Sequence, residues 1–65
     1  MPVKRMTPKQ FKKWRTDLGM TQQEAAEALG YNHKGAISRF ENGLRKITLP
    51  VTLACASIKR EKEDA

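Results

Sequence analysis

Apolar residues along the chain recur at helical rather than strand spacing. Phe11, Trp14 and Leu18 fall on one face of a segment that opens at Thr7-Pro8 and stops at Gly19. Thr7 with Gln10 forms a capping box, and Pro8 stands at the first helical position, so a first helix is predicted over residues 8–18. Thr21 with Glu24 is a second capping box. Ala25, Ala26 and Leu29 follow as a short apolar stripe, and Gly30 is a left-handed stop. A third helix carries Ile37 and Phe40 inward and ends at Asn42-Gly43, with Asn32 its expected N-cap and His33 the second choice. "LRKI" reads as a loop. Thr48 is then expected to cap a fourth helix with Pro50 in its first turn and Val51, Leu53, Ala54 and Ile58 on its apolar side. The end, "KREKEDA", is expected to fray into solvent. The one strand-like run, "ITLPVTL", contains a proline, which counts against a central strand. The expected fold is all-α, a small bundle of four or five helices. It divides into a basic N-terminal arm (1–6), a folded unit (7–58) and a charged C-terminal tail (59–65).

The second and third helices are too short to be stable alone, since isolated helices below ~12–15 residues are marginal in water. Each must be packed by the other and by the helices on either side. Beside Ile37 and Phe40 the third helix carries Lys34, Gly35, Ser38 and Arg39, which are small, polar or basic and share the face opposite the apolar one. Two short helices joined by a tight turn, the second with a polar and basic face, make a helix-turn-helix. In that motif the second helix enters the major groove of DNA while the first crosses the phosphate backbone.

Charge strengthens this reading through its placement. The formal charge is +6 and the pI about 9.9. The surplus lies in two blocks. Met1–Arg15 holds six basic residues and no acid, and Lys34–Lys46 sets Lys34, Arg39, Arg45 and Lys46 against Glu41 alone. Such blocks are the footprint of a polyanion binder, with general solubility the plainer alternative. The single cysteine, Cys55, excludes an intramolecular disulfide and fits a cytoplasmic protein. No apolar run approaches the ~18 residues a membrane helix needs, and "MPVKRM" is followed by no apolar segment of a secretory signal. One His and one Cys in different elements, with no metal-ligand cluster and no glycine-rich phosphate loop, give no basis for an enzyme, a metal or a cofactor.

"LGMTQQEAAEALG…ISRFENG" resembles the Cro/repressor-type, or XRE-type, helix-turn-helix family. The shared pattern is carried by Arg15, Gly19, Met20, Thr21, Gln22, Glu24, Ala26, Leu29, Gly30, Ile37, Ser38, Phe40, Glu41 and Gly43, and the likeness covers about residues 8–58. "TLPVTLACASI" is similar to the fourth helix of short members. One departure is the turn "GYNHKGAIS", a residue longer than the commonest spacing, which leaves open where the third helix begins.

The resemblance implies a lambda-repressor-like domain and a role for each matching residue. Lys34, Gly35, Ser38 and Arg39 occupy base-facing positions, with His33 either touching DNA from the turn or standing as an ordinary exposed turn residue. Arg39 is the strongest candidate, because a guanidinium forks onto guanine O6 and N7. Its plainer alternative is a surface charge, and Lys34 suits a phosphate as well as a base. Gly35 reads nothing directly; it allows a close backbone approach or meets a thymine methyl. Gln22 and Gln23 begin the second helix, where free N–H groups favour phosphate, or form a solvated first turn. Asn42, Arg45 and Lys46 follow the recognition helix and are expected at the backbone. The arm residues Lys4 and Arg5 either reach DNA or form an unordered tail. Arg15 and Glu41 are implied as a partly buried structural ion pair. Trp14 and Phe40 read as core, and Tyr31 as a cover over the turn.

The resemblance also implies double-stranded DNA as the partner, in the form of an inverted-repeat operator occupied by a homodimer. Leu49, Val51, Leu53, Cys55 and Ile58 are expected at the dimer interface, with a buried core thiol an equal alternative for Cys55. Repression, often of the protein's own operon, is typical of short members, phage and mobile-element regulators among them. No small-molecule effector is evident. The alternative is an antitoxin or small protein-interaction module that also binds DNA. RNA is disfavoured by the lack of an aromatic platform.

Overall fold

Thr7 and Thr21 each close a reciprocal capping box. The Thr7 hydroxyl accepts from the Gln10 backbone N–H at 3.1 Å while the Gln10 side chain accepts from the Thr7 N–H at 3.0 Å. Thr21 and Glu24 repeat the arrangement at 3.1 and 3.0 Å. The Thr21 backbone N–H, and after it the Thr21 hydroxyl, hold the Glu24 carboxyl below the usual carboxylate range. This cap is therefore complete above the ordinary carboxylate pKa and loosens as pH falls through the lowered one. The caps open α1 (Pro8–Asp17) and α2 (Gln22–Leu29); α3 (Gly35–Glu41) and α4 (Leu49–Asp64) complete the order. This computed structural model describes residues 4–64, so the first three residues of the expected arm and the last of the expected tail lie outside the described residues. No strand occurs among the described residues, and the fold is all-α as expected.

The short helices are tied off at their C-termini in one repeated way. At Gly30 the backbone turns left-handed (φ 83°), which brings the Tyr31 N–H to the Ala26 carbonyl at 2.8 Å. Gly43 (φ 75°) does the same for α3, with the Leu44 N–H on the Arg39 carbonyl at 2.9 Å. A side chain at either position would meet the steric penalty of that region. The residue after the glycine then chooses its own fate. Met20, which follows Gly19, is buried and Tyr31 is half-buried, but Leu44 is 78% exposed.

The core is shared by all four helices. Phe11 and Trp14 of α1, Ala25 and Ala26 of α2, Ile37 and Phe40 of α3 and Cys55 of α4 are buried together with Met20 and Ile47 from the connections. Phe11 is its hub, with ring centroids 5.3 Å from both Trp14 and Phe40. Tyr31 meets Phe40 edge-on at 5.8 Å. Such pairs contribute ~0.5–1.5 kcal/mol each beyond the area they bury. The alanines matter by being small, since they let α3 and α4 approach α2.

Buried polar atoms join α4 to the rest. The Trp14 indole N–H donates to the Cys55 carbonyl at 2.9 Å, across a buried contact. Thr52 is the buried polar residue of the core region. Its hydroxyl donates to the Thr48 carbonyl at 3.0 Å and accepts from the Met6 N–H at 3.2 Å.

Two expectations are decided here. Of the two alternatives for Cys55, a dimer interface and a buried core thiol, the structure has the second: it is 1% exposed within this chain's own core and has no surface left for a partner. The tail does not fray at residue 59: α4 runs on to Asp64. The Lys59–Glu63 pair at 3.9 Å spans one turn of that extension. Burial pushes the Cys55 thiol up to about 12 from 9.0. The raised value means that the unfolded chain releases this proton first. Its contribution to stability is intact below pH 9 and is lost as pH rises from 9 towards 12. Cys55 is accordingly expected to resist alkylation at pH 8 in the native protein and to react at once when denaturant is added. Fast labelling without denaturant would show that the thiol is accessible.

Candidate nucleic-acid interface

The two faces of α3 are separated. Ile37 and Phe40 point into the core at 0% and 1% exposure. Gly35, Ser38, Arg39 and Asn42 form the opposite stripe, one turn apart in pairs along the axis. The Arg39 side chain is exposed and has no hydrogen-bond or ion-pair partner among the described residues. It is free to fork onto a ligand. Ser38 is half-buried, and its hydroxyl accepts from the Asn42 side-chain amide at 3.2 Å, so these two polar groups are held together on the surface.

The start of α3 differs from expectation. Asn32 does not cap it. The chain is already turning at Lys34 (φ −61°, ψ −16°), which stands at the N-cap position with no side-chain capping bond. The cap comes from His33, whose Nδ1 accepts from the Gly35 N–H at 2.9 Å. In addition, the His33 carbonyl takes the Ala36 N–H at 3.4 Å. The longer turn thus supplies an imidazole as the acceptor for this N–H. A Cβ on Gly35 would lie 3.1 Å from His33 Nδ1, so the missing side chain at 35 makes room for the ring. His33 remains exposed, as does Lys34 beside it.

Gln22 opens α2 half-buried, while Gln23 is exposed and its amide reaches Glu27 at 3.4 Å. Beyond α3, Arg45 and Lys46 are exposed. Arg45 is nonetheless fixed in place. Its guanidinium carbon sits 5.4 Å from the centroid of Tyr31 and 5.3 Å from that of Phe40, a cation over two rings of the core edge. Sequence reasoning placed Tyr31 as a cover for the turn but missed that it also seats Arg45. A basic residue two positions after the helix-ending glycine, with an aromatic after the previous one, is the signal that was available.

α3 is held in register by Arg15. Its Nε donates to Glu41 Oε2 at 2.7 Å and its Nη2 to Glu41 Oε1 at 3.2 Å, a fork onto the last residue of α3. Nη1 donates to the Met20 carbonyl at 2.9 Å in the connection before α2. The side chains are only 13% and 6% exposed. One residue of α1 thus ties together the C-terminus of α3 and the entry to α2.

Among the described residues no helix is long and apolar enough to cross a membrane, and no three metal-binding side chains come together. A family model described as helix-turn-helix matches residues 11–58, most of the chain. No curated protein and no solved structure matches at a significant level. With a capped α2, a tight turn and an α3 whose polar stripe faces away from the core, the chain belongs to the XRE-type helix-turn-helix family of DNA-binding transcriptional regulators.

Proposed function

We infer that this protein is a cytoplasmic repressor that occupies an inverted-repeat operator as a homodimer and regulates by occupancy, its own promoter being the first candidate target. The observation that carries the reading is Arg39 on the outer stripe of α3, exposed and in no ion pair among the described residues. Lys34, Gly35 and Ser38 share the base-facing side with Arg39, and His33 lies at its edge. The N-terminus of α2, with Gln22 and Gln23, lies against one phosphate strand. Asn42, Arg45 and Lys46 meet the backbone beyond the other end of α3. A helix-turn-helix places its parts on DNA in this order.

Dimerisation is supported by what α4 leaves uncovered. Leu49 and Leu53 are 41% and 53% exposed and lie one turn apart. Val51 and Ile58 pack partly on the chain's own core and have only an edge to offer. Leu44 is a further apolar residue without cover on the same chain. One recognition helix reads too few base pairs to select a site, so a second copy supplies the missing specificity, with half-sites ~34 Å apart.

The test begins with a site selected from random duplexes. Arg39→Ala is expected to lose ~1–3 kcal/mol of discrimination between that site and random DNA, whereas Lys46→Ala weakens both alike. Equal losses on both DNAs for Arg39→Ala would remove it from base reading. Sedimentation on full and half sites reports the dimer. Two subunits are expected on the inverted repeat, and a single subunit bound equally well to one half-site contradicts the homodimer.

A further inference from the structure

We propose that Arg5, Arg45 and Lys46 form a single phosphate-binding pocket that seats one phosphodiester of the DNA backbone beside the C-terminal end of α3. This deepens the DNA-binding reading and rests on it. The pocket has a volume of about 300 Å³ and is walled by these three cations, with Met6, Pro8, Gly43 and Ile47 as its remaining lining. No carboxylate lines it. None of the three cations is in an ion pair among the described residues. Three positively charged residues lining one pocket with an apolar remainder repel one another, and the apolar lining strengthens both that repulsion and the attraction for an anion. A bound phosphate group relieves the first and uses the second.

The chain around each cation is fixed by a separate contact. The Tyr31 and Phe40 rings hold the Arg45 guanidinium without neutralising it. Lys46 directly precedes Ile47, which is 4% exposed and anchors the loop in the core. Arg5 directly precedes Met6, whose N–H donates to the buried Thr52 hydroxyl at 3.2 Å and whose side chain packs on the core. The described end of the arm is therefore pinned to α4 rather than trailing, and Thr52 acquires a role: it keeps its hydroxyl in a core position so that Arg5 stays at the rim. The position fits a duplex, since residues 43, 45 and 46 leave α3 where the helix itself would leave the groove and meet the flanking strand.

The experiment compares Arg5→Ala with Arg60→Ala, which removes the same charge from exposed α4 outside the pocket. Affinity for the selected site and for a random duplex is measured across a salt series. Arg5→Ala is expected to weaken both duplexes by the same factor. It should also lower the slope of log affinity against log salt by ~0.9, the loss of one phosphate contact. Arg60→Ala is expected to leave the slope at the wild-type value. Thr52→Val keeps every cation and is expected to weaken both duplexes alike by releasing the arm. An unchanged slope in Arg5→Ala, with a steep wild-type slope, overturns the pocket and leaves DNA binding standing. Equal slope losses in Arg5→Ala and Arg60→Ala also overturn it, because charge alone would then explain both. A flat wild-type slope overturns pocket and DNA reading together. A last arm titrates inorganic phosphate: tight binding abolished by Arg5→Ala, with the duplex slope untouched, overturns the duplex as its source.

Discussion

Arg15 makes three hydrogen bonds to two separate parts of the chain, and the placement of α3 depends on all of them. Two go to the Glu41 carboxylate at the end of α3, and the third to the Met20 carbonyl just before α2. α3 has seven residues and no side-chain cap at its N-cap position. Its own hydrogen bonds cannot keep it helical or aimed. Ile37 and Phe40 give it burial, which is non-directional. The bidentate pair gives it direction, because a planar fork accepts a carboxylate in few orientations. A buried pair gains little over an apolar contact, but losing one partner strands a charge and costs ~3–5 kcal/mol. The pair is best understood as a device for position, and position is what the proposed reading of a groove by α3 needs.

Around that pair the molecule is built from economical parts. Reciprocal capping boxes start α1 and α2, and left-handed glycines finish α2 and α3. A Phe11-centred aromatic cluster then replaces the larger core that a chain this small cannot assemble. The basic residues outnumber the acids, which go to the Glu24 cap, to the Arg15 pair, to surface contacts of Asp17 with Lys13 and Glu27 with Gln23, and to α4. The division lets the same sixty-five residues serve stability and polyanion binding without opposing one another.

Most of the fold was legible in the sequence because its signals are local. Thr7-Pro8-Lys9-Gln10 and Thr21-Gln22-Gln23-Glu24 name their helix starts within four residues. Ile37 and Phe40 separate the faces of α3 by spacing alone. What escaped depends on tertiary contacts. Asn32 is a better N-cap than His33 by propensity, yet the longer turn brings the imidazole, not the amide, to the Gly35 N–H. Ile47 lies in a loop of basic and polar residues and gives no periodic signal, but it is core. Thr52 looks like an ordinary helix-surface threonine until Met6, 46 residues away, delivers its N–H to it. Cys55 suits an interface and a core equally by its chemistry, and only its 1% exposure in the folded chain decides for the core.

The most direct measurement replaces Glu41 with glutamine and follows DNA affinity at a temperature where the variant is folded. Glutamine keeps the shape and one acceptor but removes a negative charge near the proposed DNA-facing surface. By charge alone, Glu41→Gln should bind a polyanion more tightly. If the pair with Arg15 is what aims α3, the same change should lower the melting temperature and weaken binding to the selected site, while random DNA is affected less. Unchanged melting with tighter binding to both DNAs would contradict the account, because it would mean that α3 holds its place without the ion pair.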